Sequence, residues 1–244
     1  MGPRGDVPEP PPALFSAMPD PAPNPELLRS LGHLLRGLSV LFWGLPLALV
    51  VCVQSSQADY LRTFGVVPPV LATAVLVYGL VLLGRFRKEE TVWLVALERA
   101  KIFAVVNLGL SPFLFWGSRL PSNDFYLSIT QLMAVTGLLF LLALNPVLQR
   151  LTAMLPDESL RHETLVFTRM STVLLVVDLG LVVSHFLSLR LKWRLELGTH
   201  WQFLLEQAGQ WGAWFLILLT VAMAMGLIWK TKEVIFQSVF GGKG

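Results

Sequence analysis

From residue 38 onward the chain alternates long apolar runs with shorter mixed stretches. Six runs stand out: Leu38–Val53, Val66–Leu83, Ile102–Trp116, Tyr126–Val147, Ser171–Leu189 and Gly212–Trp229. A straight helix needs about 20 apolar residues, with a range of about 17–25, to cross the hydrocarbon core of a bilayer. Four runs reach that length. The first and third are short and extend at one end, where Arg36 and Lys101 can snorkel to the headgroups. The pattern predicts an all-α polytopic membrane protein, a bundle of six transmembrane helices. The third run also fits a re-entrant segment, which would change the topology.

The stretches between the runs have their own periodicity. "PELLRSLGHLLRG" puts Leu27, Leu28, Leu31, Leu34 and Leu35 on one helical face and Glu26, Arg29, His33 and Arg36 on the other. Residues 25–37 therefore read as an amphipathic interfacial helix, started by Asn24 as N-cap and Pro25 at the first helical position. "RFRKEETVWLVALERAK" reads as a helical extension between the second and third spans. "QRLTAMLPDESLRHETLVF" reads as a connector broken at Pro156, and "LRLKWRLELGTHWQFLLEQAGQW" as an interfacial helix on the opposite surface. Residues 38–230 form the transmembrane domain and 231–244 a short tail. Residues 1–24 differ in kind: the stretch through Pro25 holds nine of the sixteen prolines and predicts a disordered, partly polyproline II arm. It lacks the apolar core of a signal peptide, and Asp6 stands where a myristoylation signal needs Ser or Thr. "GLSVLFWG" and "GLSPFLFWG" look alike, but the matched tryptophans, Trp43 and Trp116, fall at opposite ends of their spans, so no repeat follows.

Composition agrees. The chain is 54% hydrophobic and 14% charged, with mean hydropathy +0.63. Too few charges remain to cover a soluble surface. Net charge is +3, and its distribution matters more than its size. With the N-terminus inside, the inner segments hold 14 Lys and Arg and the outer segments 5, which predicts cytoplasmic termini in a plasma (bacterial inner) membrane. Trp116, Trp211, Trp214 and Trp229 fall at span ends, where indoles prefer the headgroup layer. No soluble basic patch suggests nucleic acid. The single cysteine, Cys52, forbids an internal disulfide and Cys-based zinc motifs.

One feature of the fifth span asks for chemistry. "VVDLGLVVSH" puts Asp178 and His185 inside an apolar run. A central Asp costs about 2.5–3.5 kcal/mol on the insertion scale, and the twelve Leu, Val and Phe residues of this span return about 4–7 kcal/mol. The span inserts in spite of the acid. Ser171, Asp178 and His185 are seven apart and Ser188 follows by three, so all four share one side of the helix. Asp178 and His185 lie about 10 Å apart along the axis, too far to bond directly. Asn107 in the third span and Thr136 in the fourth are nearest in depth, with Thr73, Tyr78 and Gln131 as further polar groups. Such a stripe points at protein or water rather than lipid. It is either a packing lock pinning the fifth helix or a proton or ion path, since histidine titrates near neutrality. Ser171, at the predicted end of the run, also fits a simple helix cap.

Other chemistry is sparse. His33, His162 and His200 fall outside the spans, so haem held by facing histidines within the bilayer is not expected. HExxH, GxSxG, a phosphate-cradling glycine loop and CxxC are missing. No cofactor, metal or catalytic residue is expected. Pro46 and Pro112 lie inside the first and third spans, where each removes a backbone hydrogen bond and favours a bend. The leading expectation is a non-catalytic membrane subunit, partnered by the lipid bilayer and by another membrane protein or a second copy. A small proton- or ion-coupled transporter built on the Asp/His stripe is the alternative, and a membrane-embedded enzyme or cofactor carrier the third.

Overall fold

The computed structural model describes residues 25–57, 64–86, 91–120, 123–154, 158–191 and 199–240. Within these, the side chains of 25–28, 57, 158–160, 185–191, 199–211, 213–214 and 237–240 are outside the description. So are the proline-rich arm, the Asn24 cap and Pro156. The described residues form seven helices and no strand: α1 Pro25–Gln57, α2 Val67–Leu83, α3 Thr91–Leu110, α4 Pro112–Arg119, α5 Asp124–Ala153, α6 Glu158–Leu191 and α7 Thr199–Phe240. The six apolar runs are helical apart from Val66 and Ser111. Five rods are long and apolar enough to cross a membrane, with α3 and α4 counting as one rod from Thr91 to Arg119; α2, at 17 residues, is the shorter sixth.

Local chemistry explains the ends. Asn123 caps α5, its side-chain oxygen accepting from the Phe125 N–H at 3.0 Å. Pro68 and Pro69 open α2, where the missing N–H costs nothing. Gly65, at φ +61°, turns the chain into that helix in a conformation that disfavours a β-carbon. Pro112 ends the regular hydrogen bonding of α3 and becomes the first residue of α4, with Ser111 between them. Pro46 does not divide α1, and Pro146 sits inside α5.

Helix α1 is unbroken from Pro25 to Gln57. The surface segment 25–37 and the span from Leu38 are thus one rod, and Leu34 is as buried as Leu38. The stretch after α2 likewise joins the bundle. Trp93, Leu97, Ala100 and Ala104 form one buried stripe on α3, and the third rod starts at Thr91, well before the apolar run does. Beyond the last run α7 continues to Phe240.

The rods close into a ring. Neighbouring pairs are α1–α2, α2–α3, α3–α5, α5–α6, α6–α7 and α7–α1, with α4 packed against α1, α2 and α5. The α1–α2 contact is the tightest described. A β-carbon at Gly79 would stand 3.0 Å from Leu41 Cγ; at Gly37 it would collide with Leu83 and stand 3.1 Å from the Gly79 carbonyl oxygen. Backbones approach that closely only over small residues. Leucines on α1, α2 and α5, with Leu175 on α6 and Ile228 on α7, fill the core. Trp43, Leu71, Ile102, Val173 and Phe215 point outward and are largely exposed. A water-soluble surface rarely carries apolar residues over so many faces.

Candidate functional site

Helix periodicity places Ser171, Asp178, His185 and Ser188 on one side of α6, whose helix runs through all four. The side chains of His185 and Ser188 lie outside the described residues. Ser171 and Asp178 are both buried, and the stripe continues in the other direction. Thr164, Thr168, Ser171, Leu175 and Asp178 are spaced by four and three residues and all face inward.

Ser171 is no helix cap. It lies mid-helix, and its hydroxyl meets Asn145 of α5: the Asn145 amide nitrogen donates to Ser171 Oγ at 3.1 Å and to Thr172 Oγ1 at 3.2 Å. Ser171 Oγ is also within donating distance, 3.3 Å, of Asn145 Oδ1. Thr172 donates in turn to its own helix at Thr168 O, 2.7 Å away, and Thr168 to Thr164 O. Asn145 is 7% exposed. A buried amide with these partners satisfies its own desolvation and fixes the level at which α5 and α6 meet.

Asn107 and Thr136 come together with each other rather than with Asp178. Thr136 Oγ1 donates to Asn107 Oδ1 at 3.0 Å, joining α3 to α5, while the Asn107 amide donates to Phe103 O at 2.8 Å. The other polar residues stay local. Thr73 donates to Pro69 O, Tyr78 is exposed, and Gln131 is half-buried.

Asp178 stands apart. It is 0% exposed, and among the described residues neither carboxyl oxygen has a hydrogen-bond partner. Two turns along α6 from Ser171, and two turns back along antiparallel α5 from Asn145, put it near the level of Leu138.

A cavity of about 340 Å³ lies among the helices, and every helix contributes to its walls. Leu45, Ala48, Leu76, Leu114, Leu138, Leu141, Val182 and Ile217 are among its walls; Asp178 is not. The cavity's hydroxyl and amide groups are already engaged. Ser56, Thr73, Asn107 and Thr130 each donate to a backbone carbonyl of their own helix. What remains facing the space is hydrocarbon and the Cys52 thiol. Such a space suits an apolar molecule and offers an ion little to replace its water.

Among the described residues no group of three or more His, Cys, Asp or Glu is placed to hold a metal ion. The one described ion pair joins Lys230 of α7 to Glu163 of α6 near one end of the bundle. Comparison with known proteins finds no matching family model, and neither the curated proteins nor the solved structures give a match.

Proposed function

We propose that the chain is an integral membrane protein that crosses the bilayer six times with both ends on the cytoplasmic side, and that it serves as a non-catalytic subunit of a membrane assembly. Rod lengths, the outward apolar residues and the bias of Lys and Arg support the first part. One observation carries the second: the described interhelical polar contacts hold the bundle together. Asn107–Thr136 and Asn145–Ser171–Thr172 join α3 to α5 and α5 to α6, and the central cavity presents engaged polar groups. With its interior given to packing, the surface is what the protein offers to others. The test is purification of the tagged chain from its own host in mild detergent, with stoichiometry counted. A membrane protein present in fixed ratio is expected. Elution alone or only with itself would sink the subunit reading.

A specific observation favours a second reading, an ion- or proton-coupled transporter. A fully buried carboxyl with no partner among the described residues is an uncommon thing to keep in a membrane helix, and such acids mark ion and proton routes. Proton flux into liposomes separates the two readings. Flux that is lost in Asp178→Asn supports transport; equal passive leak for both proteins supports the subunit.

A further inference from the structure

A second space lies on the outside of the ring, between α3 and α5. It is a groove of about 630 Å³ lined by Val95, Ala96 and Phe103 from α3 and by Leu142, Ala143 and Pro146 from α5, among others. Two arginines border it, Arg99 and Arg150. Both are exposed, and the one described ion pair uses neither.

The placement of the two charges is specific. Asn107 of α3 faces Thr136 of antiparallel α5. Counting back from that contact puts Arg99 level with Leu144, about 9 Å along the axis from Arg150. Side chains lean toward the N-terminus of their own helix. On antiparallel helices the Arg99 and Arg150 stems therefore lean toward each other across the groove. Glu98 leaves α3 about 100° around the helix from Arg99. Lys101 is turned toward α2, its Nζ beside Gly84. Thr91 borders the same end of the groove. The result is a basic mouth at one end of the bundle and an apolar trough running from it toward mid-bundle.

We infer that this groove binds one anionic phospholipid, its phosphate held between Arg99 and Arg150 and an acyl chain lying along Phe103, Leu142 and Ala143. Guanidinium forks match phosphate oxygens in pairs, and basic pockets between membrane helices take acidic headgroups. A free phosphate satisfies the arginines alone and leaves the trough empty, so the lipid is the occupant that uses both halves. The inference rests on the reading of the bundle as membrane-embedded, which is tested separately by whether alkaline carbonate leaves the chain in the membrane fraction.

For the groove itself, the full chain is reconstituted in nanodiscs of equal phosphatidylglycerol and phosphatidylcholine. Lipids that stay bound after transfer to detergent are counted by native mass spectrometry. Retention of one phosphatidylglycerol in preference to phosphatidylcholine is expected. Arg99→Gln and Arg150→Gln should each weaken it roughly fivefold, while Arg161→Gln, an exposed arginine on α6, leaves it unchanged. Ala143→Trp should block it with both arginines present, and soluble glycerol phosphate should not displace it. Equal retention of the two lipids, or loss of the preference in Arg161→Gln as well, overturns the proposal. So does unchanged binding in Ala143→Trp, or displacement by glycerol phosphate. Elution volume and helicity of each variant are checked first, and the exposed arginine variants are expected to match the parent.

Discussion

Replacing Asn145 by alanine should loosen the α5–α6 contact by an amount that can be worked out beforehand. The amide reaches two hydroxyls, Ser171 at 3.1 Å and Thr172 at 3.2 Å. Interhelical hydrogen bonds in membrane proteins average about 0.6 kcal/mol each, with a ceiling near 1.7 kcal/mol. The hydroxyls are not orphaned by the change. Thr172 keeps its bond to Thr168 O, and a serine in a helix can turn back to the preceding turn. The polar loss is then about 1 kcal/mol. The side chain shrinks by roughly 25–30 Å³, which adds about 0.6–0.7 kcal/mol at ~24 cal/mol per Å³ of residual cavity. The total is about 1.5–2 kcal/mol, read from reversible unfolding in mixed micelles with rising dodecyl sulfate. The single variant does not separate packing from bonding. A cycle with Ser171→Ala does, because the cavity cancels. The coupling expected is about 0.6 kcal/mol. A coupling indistinguishable from zero would mean that the two residues do not meet and that the α5–α6 register is wrong.

Four further outcomes are expected. Gly37→Val forces a side chain into Leu83 and toward the α2 backbone and should lower stability by about 1–3 kcal/mol in the same unfolding assay; no loss would refute the close α1–α2 approach. Ala48→Leu extends into the central cavity and should raise stability by about 0.5–2 kcal/mol; a loss of stability would refute the space described there. Glu163→Gln removes the exposed pair with Lys230 and should change stability by no more than about 1 kcal/mol, less at high salt. Asp178→Asn should leave the membrane side of the C-terminus unchanged, checked by a topology reporter fused there, because the span's twelve Leu, Val and Phe residues outweigh the acid.

The helices were legible in the sequence because a run of apolar residues long enough to cross a bilayer has few other structures open to it. Their ends were less so. The third run looked short because Glu98, Arg99 and Lys101 interrupt its hydropathy. Yet Trp93, Leu97, Ala100 and Ala104 keep a helical period through those charges, and that period was the available signal. Ser171 was visible as a member of a stripe but not as a contact. Its partner, Asn145, precedes Pro146, and a proline beside a polar residue resembles the end of a span more than its interior. Asn107 and Thr136 matched each other in depth, but periodicity gives the face of each helix and not which faces meet. Thr164 falls in the stretch read as a connector and Thr168 between it and the predicted span, so the pattern does not show the inward extension of the Asp178 stripe. Pro112 and Pro46 had the same sequence status. Yet one lies inside an unbroken helix and the other at a break.

The glycine-packed pair α1 and α2 bears on how the protein is made. At 17 residues, α2 spans about 25 Å, short of the roughly 30 Å hydrocarbon core. It carries no charged residue and no side-chain bond to another helix among those described. Much of what holds it is its fit against α1 through Gly37 and Gly79. Synthesis runs from the N-terminus, so that seat exists before α2 leaves the ribosome. In the membrane setting proposed above, the two helices should then enter the bilayer as a hairpin, the longer one guiding the shorter. A chain that begins after α1 would present an element too short to settle and without the surface it was shaped to lie on. Truncation from the front should therefore be far more damaging to membrane integration than truncation of an equal length from the far end of α7.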